Sequence, residues 1–226
     1  MQNQKSKKIL IYFFLFILVC SINNINLNTL KIQNISNIKV LGLNNDNNLK
    51  ILKKINELNL GNIFFINKDE FKDLINLNNM VENYQIFKKY SSSLIVTIEK
   101  TKFLARININ KKTFLLGSNG KLSDNNFENI QLPYIFGKPE IKEFLNFKQI
   151  IDGSNFLYND VKNLYFFPSK RWDIELKNNI IIKLSKDYTK ISLDLAFEFL
   201  NNHNFEDIKV IDIRIKDQII LNGWRN

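Results

Sequence analysis

The pattern that most constrains the fold is an alternation of apolar and charged residues from Arg171 to Lys177 (RWDIELK). In an extended chain its apolar residues fall on one side and its charged residues on the other. Asn178 and Asn179 follow where a two-residue hairpin requires positive φ, which asparagine tolerates. The apolar alternation resumes at 180–184 (IIIKL). The segment is therefore predicted to be a β-hairpin with one buried and one solvated face, and Trp172 is predicted to anchor the buried face.

The first third of the chain indicates a small unit of strand, helix, helix, strand and strand. Ile35–Gly42 ends in Val-x-Gly, which is typical of a strand that closes at a turn. Asp46 is positioned to cap a helix, and Asn67 with a glutamate three residues later resembles the capping box of a second helix. Two strands follow, and the second, Leu94–Glu99, has one fully apolar face. Two helices are therefore expected on one face of a small sheet.

The remaining residues predict mainly strands with two or three helices. Phe103–Ile109 is read as a strand, and Pro139 suits the first turn of a helix. A later helix carries an apolar row of four residues, Tyr188, Ile191, Leu195 and Phe199, with Leu193, Phe197 and Leu200 nearby, so this helix is expected to be largely buried. The chain then returns as two strands, Ile208–Ile215 and Ile219–Leu221, joined by a turn at 217–218. The fold class is thus α+β, with a mostly antiparallel β region after residue 101.

The first unit resembles a POTRA domain, spanning residues 34–101. The resemblance rests on Val40-Leu41-Gly42 after the first strand, on Gly61–Ile66 (GNIFFI) between the helices and on Ile98-Glu99-Lys100 at the end of the last strand. The family often has an aromatic-Pro-x-x-Leu turn and a Glu-Arg-x-Pro end at this point. This chain has Tyr90–Leu94 (YSSSL) and Glu99–Lys102 (EKTK) there, so both prolines are replaced.

Residues 102–226 resemble the β domain that follows the POTRA domain in the bacterial cell-division proteins FtsQ and DivIB. The matching elements are Leu132–Gly137 (LPYIFG), Arg171-Trp172 with its asparagine-rich turn, and Val210–Arg214 (VIDIR). Members of that family carry a single N-terminal transmembrane helix before these two domains. The resemblance therefore covers nearly the whole chain and implies the same order of domains here.

The apolar run Ile9–Cys20 (ILIYFFLFILVC) follows Lys5, Lys7 and Lys8 without an intervening acidic residue. A positive flank before an apolar run is typical of a segment inserted with its N-terminus in the cytoplasm. The run alone leaves a cleaved signal peptide and an uncleaved anchor open, because twelve residues is short for a span of roughly 20.

The resemblance implies that the run is retained as an anchor. It implies a cytoplasmic tail at 1–8, a transmembrane anchor with its connector at 9–30, and a periplasmic C-terminal region. The expected localisation is the bacterial inner membrane at the division septum, as a single-pass protein. Four side chains are expected to hold the anchor in the bilayer: Ile9, Phe13, Phe14 and Leu18.

Charge and cysteine content exclude several classes of function. The formal charge is +10, and +7 remains without the three tail lysines. The lysines are scattered and form no basic stripe with interleaved aromatics, so no nucleic-acid site is predicted. The one cysteine, Cys20, excludes a disulfide within the chain.

No catalytic constellation, cofactor site or metal site is predicted from the residues. The one histidine, His203, has no second histidine or nearby cysteine with which to bind a metal. Glu140 and Glu143 are read as a solvated helix face. Carboxylates brought together in space would favour the alternative, a membrane-anchored extracytoplasmic enzyme or ligand-binding protein that acts on the cell wall.

The resemblance implies a non-enzymatic divisome scaffold that links early and late division proteins. Its expected partners are the periplasmic parts of FtsB-like and FtsL-like proteins, added as a β-strand at the C-terminal edge, and other divisome membrane proteins at the POTRA domain. Asp212 and Arg214 share one face of their strand and are placed to pair. Four residues of the segment 212–221 are the predicted partner contacts: Arg214, Ile215, Ile219 and Leu221.

Overall fold

The computed structural model describes residues 2–22, 34–58, 60–61, 63, 66–90, 92–124, 131–202 and 208–223. The α-helices are α1 Gln2–Ile22, α2 Asn45–Glu57, α3 Lys68–Asn76, α4 Ile141–Asp152 and α5 Thr189–Asn202. The strands are β1 Asn37–Leu41, β2 Val81–Lys89, β3 Ser93–Lys100, β4 Phe103–Ile109, β5 Lys112–Gly117, β6 Leu122–Ser123, β7 Tyr134–Phe136, β8 Val161–Phe166, β9 Trp172–Leu176, β10 Ile181–Leu184, β11 Ile208–Ile213 and β12 Ile220–Gly223. The fold is α+β, as the sequence predicts.

The N-terminal helix α1 contains the apolar run, but no helix among the described residues is long and apolar enough to cross a membrane. Only Ile9–Cys20 is continuously apolar, because the first two turns of α1 carry polar and lysine residues. The prediction of a single-pass inner-membrane protein with a cytoplasmic tail is therefore wrong. The anchoring role assigned to Ile9, Phe13, Phe14 and Leu18 depends on such a span, which the described residues do not show. The predicted connector at 23–30 lies outside the described residues.

Residues 34–100 form the predicted series of strand, helix, helix, strand and strand. The small sheet has the order β1-β3-β2, with β1 parallel and β2 antiparallel to the central strand β3. One face of β3 is buried, at Leu94, Val96 and Ile98, as its alternation predicts. These side chains pack with buried residues of the two helices: Ile51, Ile55, Phe71 and Ile75.

Of the two predicted helix N-caps, the one at Asn67 is confirmed and the one at Asp46 is wrong. Asn67 caps α3, because its side-chain oxygen accepts from Asp69 N at 3.1 Å and its amide donates to Glu70 Oε1 at 3.0 Å. Asn44, rather than the predicted Asp46, caps α2 and accepts from Asn47 N at 3.2 Å. Asp46 lies in the first turn instead, where its charge favours the helix N-terminus.

The second unit is built on a large sheet with the order β12-β11-β10-β9-β8-β7-β4-β5-β6. The sheet is mixed, because β11 runs parallel to β10, and β7 runs parallel to both β8 and β4. The prediction of a mostly antiparallel domain therefore misses three parallel pairings. The chain crosses over through α4 between β7 and β8, through α5 between β10 and β11, and through β5 and β6 between β4 and β7. Both helices contribute buried side chains to the core of the large sheet, including Phe144, Phe147 and Leu193.

The hairpin of β9 and β10 forms as predicted, with Asn179 at φ +66. Trp172 is 7% exposed and stacks on Phe147 with ring centroids 4.6 Å apart, so it anchors the core. The opposite face is less solvated than the sequence indicates. Asp173 is only 3% exposed, because it lies in the middle of the sheet between β8 and β10 and is paired with Arg171.

The two units meet without a linker, since β3 ends at Lys100 and β4 begins at Phe103. Thr101 N donates to Met80 O at 2.9 Å. The Glu82 carboxylate accepts from Thr101 Oγ1 and from Ser118 Oγ, both at 2.8 Å. Glu82 of the small sheet is thus hydrogen-bonded to the segment before β4 and to the turn between β5 and β6 of the large sheet.

Substitution of Gly42 is predicted to destabilise the small unit. Gly42 has φ +113, and a Cβ atom there would lie 1.8 Å from the main-chain oxygen of Ile98. We expect Gly42→Ala to lower the free energy of unfolding by about 2 kcal/mol or more, measured by urea denaturation of the full chain. Gly61→Ala is the matched control, because no atom lies within 4 Å of its added Cβ. Equal unfolding midpoints for the two variants would contradict this account.

Candidate functional site

The candidate site is the free edge formed by β12 at one end of the large sheet. β12 pairs antiparallel with β11, with Asp212 opposite Ile220 and Ile211 opposite Leu221. In the part of the chain that the structure describes, no strand lies along its other side. The outward N–H and C=O groups of β12 are therefore available to an added strand.

The segment predicted to contact a partner is two strands with a turn between them. β11 ends at Ile213 and β12 begins at Ile220. The turn is closed by Gln218 N donating to Ile215 O at 3.3 Å, and Asp217 within it has φ +59. The turn thus begins two residues before the predicted position. β11 ends two residues earlier than predicted, and β12 begins one residue later.

The structure places the four predicted contact residues in different surroundings. Ile215 lies in the turn and is 52% exposed, and Leu221 lies on β12 and is 46% exposed. Ile219 precedes β12 and is half-buried against the core of the large sheet. Arg214 follows β11, and its side chain is 46% exposed. Three of the four side chains are therefore accessible to a partner, whereas Ile219 packs against the core of the large sheet next to β12.

Sequence reasoning missed three exposed apolar residues near this edge. Ile220 is 50% exposed and faces the side of the sheet opposite to the helices, because it pairs with Asp212. Tyr188 and Ile191, at the start of α5, are 43% and 47% exposed. Lys216 Nζ lies 5.6 Å from the Tyr188 ring, so this ring lies beside the turn between β11 and β12.

The exposure of Tyr188 and Ile191 corrects the predicted burial of α5 at its N-terminal end, whereas Leu195 and Phe199 of the same row pack against the core. The buried residues of that helix are Ser192, Leu193 and Ala196, which lie on an adjacent row. Both rows repeat at helical spacing, so the period alone could not decide between them. The small side chains of Ser192 and Ala196, which let the helix approach the sheet closely, were the available signal.

Asp212 and Arg214 form the predicted ion pair at the base of the edge. Arg214 Nη2 lies 2.6 Å from Asp212 Oδ2, and Arg214 Nε lies 2.8 Å from Asp212 Oδ1. The hydrogen bonds from Arg214 hold the pKa of the Asp212 carboxyl below its ordinary value. The pair fixes the arginine at the surface, where one side of its guanidinium remains open to solvent.

Charges alternate in sign across the strands that lead to this edge. The register sets Lys183 of β10 opposite Asp212 on one side and opposite Asp173 on the other. Burial raises the pKa of Asp173, and the hydrogen bond from Arg171 opposes this shift. Asp173 and Asp212 thus each have a basic neighbour on the helix-free face, the face of the large sheet opposite α4 and α5. These neighbours offset the cost of burying the two carboxylates.

A second polar cluster on the same face is fully hydrogen-bonded. Glu175 accepts from Tyr165 Oη at 2.6 Å, from Lys162 Nζ at 2.8 Å and from Asn163 Nδ2 at 2.9 Å. Burial by itself raises the pKa of Glu175, but these three hydrogen bonds together lower it to about 2. Burial, followed by the bond to Glu175, raises the pKa of Tyr165 to about 12. At neutral pH Glu175 is therefore ionised and Tyr165 is neutral. The hydrogen bonds of the cluster link β8 to β9.

The alternative enzymatic reading has two carboxylates to consider. Asp194 and Glu198, one turn apart on α5, line an open groove with asparagines and Phe197. Asp194 Oδ1 already accepts from Asn155 N at 2.9 Å, and no lysine, arginine or histidine is among the lining residues. Within the described residues, no group of three or more His, Cys, Asp or Glu is arranged to hold a metal ion. His203 lies outside those residues.

No protein-family model matches the chain, and no curated protein shows significant similarity to it. The resemblance to FtsQ and DivIB therefore stays a prediction that rests on the residues quoted for it.

Removing the Arg214 side chain is predicted to change the titration of Asp212. We expect Arg214→Gln to raise the Asp212 pKa, measured by NMR titration of its carboxyl group. Because the folded pKa lies below the unfolded value of about 3.9, the pair stabilises the fold above that pH and loses this effect as the pH falls. The acid-induced loss of stability below about pH 4 should therefore be shallower in the variant.

Lys216→Gln is the control for this titration, since it removes a nearby exposed charge that makes no hydrogen bond to Asp212. An Asp212 pKa that is the same in Arg214→Gln and in the parent chain would contradict the role given to the pair.

Proposed function

We propose that this chain is a non-catalytic scaffold of the FtsQ and DivIB type, which binds partner proteins of the bacterial division machinery by β-strand addition to β12. The observation that carries the proposal is the free edge of β12, flanked by half-exposed apolar side chains. The partners are segments of FtsB-like and FtsL-like proteins. They supply an extended strand whose main chain pairs with β12.

The composition of β12 distinguishes it from the other sheet edges that the structure describes. β12 (ILNG) has no charged residue, whereas β1 contains Lys39, and β2 ends in Lys88 and Lys89. β6 has only two residues. Lysines and short length are the usual means by which a protein protects an edge from pairing. β12 has no lysine and is longer than β6, which favours it as the edge that receives a partner strand.

The side chains around β12 supply the specificity of such a contact. Leu221 lies on the side of the helices, and Ile220 lies on the open side with Asp212 opposite it. A strand added to β12 would alternate in the same way, so one of its faces would meet Leu221 and Ile215 and the other would meet Ile220. Arg214 at the base of the edge would attract an acidic residue of the partner.

Proline substitution along β12 tests the main-chain contact. Successive residues direct their N–H groups to opposite sides of a strand, so one of Leu221 and Asn222 donates outward and the other donates to β11. We expect one of Leu221→Pro and Asn222→Pro to weaken binding about tenfold or more with little loss of stability, and the other to lower stability. Binding is measured by biolayer interferometry with the FtsB-like protein of the same organism, and stability by urea denaturation.

Side-chain variants complete the test. Leu221→Asp and Ile215→Asp should weaken binding, whereas Leu157→Asp, at an equally exposed apolar residue away from the edge, should not. If neither proline variant alters affinity for the FtsB-like or the FtsL-like protein, strand addition at β12 is ruled out.

A further inference from the structure

A cleft lies where the two units meet, at the other end of the large sheet from β12. Its walls are α2, the turn that follows α3, and the end of β6. Its volume is about 350 Å³, which accommodates a few side chains rather than a whole folded element. β6 and β12 are the two outermost strands of the sheet, so this cleft is separate from the edge described above.

Hydrogen bonds across the junction hold two walls of the cleft, the turn after α3 and the end of β6, at a set distance. Asn119 Nδ2 donates to Asn79 O at 3.0 Å and to Val81 O at 2.8 Å. Asn79 Nδ2 in turn donates to Leu122 O at 2.7 Å, and Lys121 Nζ donates to Asn76 O at 2.7 Å. The last bond satisfies a carbonyl at the C-terminus of α3, where a positive charge is favourable. These two walls are therefore preformed, which lowers the entropic cost of binding between them.

The floor and mouth of the cleft are apolar. Ile51 and Met80 line it and are nearly buried, at 2% and 4% exposed. Leu77, which also lines it, is 72% exposed, more than any other large apolar side chain that the structure describes. Leu77 therefore extends the apolar lining of the cleft to the surface, where a partner side chain can contact it.

The rim on the α2 side is basic. Lys50, Lys53 and Lys54 line the cleft, and none of them forms an ion pair with another described residue. The one acidic residue that lines it, Asp124, is paired with Lys112 at 3.2 Å. Asp46 and Glu57 lie at the two ends of α2 and offset part of this charge. The rim nonetheless keeps an excess of positive charge close to an apolar floor.

From these features we propose that the cleft binds an acidic segment of a partner protein, which places one or two apolar side chains against Leu77 and its carboxylates against the three lysines. Charge complementarity selects an acidic partner, and the exposed leucine selects a peptide over a small anion. Because the cleft and β12 lie at opposite ends of the sheet, one molecule can hold both partners at once. The proposal stands whether or not β12 binds FtsB-like proteins.

A peptide selection with the full chain tests this site. Random peptides displayed on phage are selected against the parent chain, after depletion on the triple variant Lys50→Glu, Lys53→Glu, Lys54→Glu. We expect the enriched peptides to combine acidic residues with leucine, phenylalanine or similar side chains. A synthetic enriched peptide should bind the triple variant at least tenfold more weakly in fluorescence anisotropy, and binding should weaken as salt rises.

Matched variants distinguish peptide binding in the cleft from non-specific binding to positive charge or to exposed apolar side chains elsewhere. Leu77→Ser should weaken peptide binding severalfold, whereas Leu49→Ser, at an exposed leucine of α2 outside the lining, should not. Lys138→Glu, Lys142→Glu and Lys190→Glu together change the net charge equally, at exposed lysines of the second unit, and should leave most of the affinity. The β12 proline variants should bind the peptide normally.

Three results would overturn the proposal. The first is failure to enrich any acidic peptide after depletion. The second is equal binding of the enriched peptide to Leu77→Ser and to the parent chain. The third is complete displacement of the peptide by inorganic phosphate, which would identify a small-anion site instead.

Discussion

Main-chain pairing through the large sheet is the constraint on which the rest of this structure depends. Each interior strand pairs with a neighbouring strand on both sides, and α4 and α5 cover one face of the sheet. A sheet that does not close must end in two strands with unpaired edges. Here those ends are the very short β6 and the uncharged β12, so the fold itself leaves one edge that is suited to pairing.

The helix-free face shows how polar residues are accommodated in such a sheet. Asp173 and Glu175 both project from β9 onto this face, yet their pKa values shift in opposite directions. Burial dominates for Asp173, whereas the hydrogen bonds from Asn163, Lys162 and Tyr165 outweigh burial for Glu175. Both carboxylates are held by hydrogen bonds to neighbouring side chains of the sheet, as expected of groups with a structural role.

The short junction joins the two units by hydrogen bonds rather than by a large apolar interface. Glu82 and Asn119 each bond across it to two groups, and the side chains of Asn79 and Lys121 each bond to one more. These bonds fix the turn after α3 relative to the turn between β5 and β6, on one side of the cleft, and orient the small sheet relative to the large one. Proteins that bind at the two ends of the molecule would therefore be held in a defined relative orientation.

The sequence by itself determined the local structure, because periodicity and turn chemistry act between neighbours along the chain. It determined the hairpin around Asn179, the cap at Asn67, the core position of Trp172 and the pairing of Asp212 with Arg214. The tertiary structure decided which face of α5 is buried and which strand ends the sheet. It also decided that Asp173 is buried between β8 and β10 and that Leu77 borders a cleft. Those features depend on contacts between residues far apart in sequence, and neither apolar spacing nor charge patterning along one segment encodes them.

For α1, the number of consecutive apolar residues was decisive: the run is apolar, yet too short for a helix that could cross a membrane.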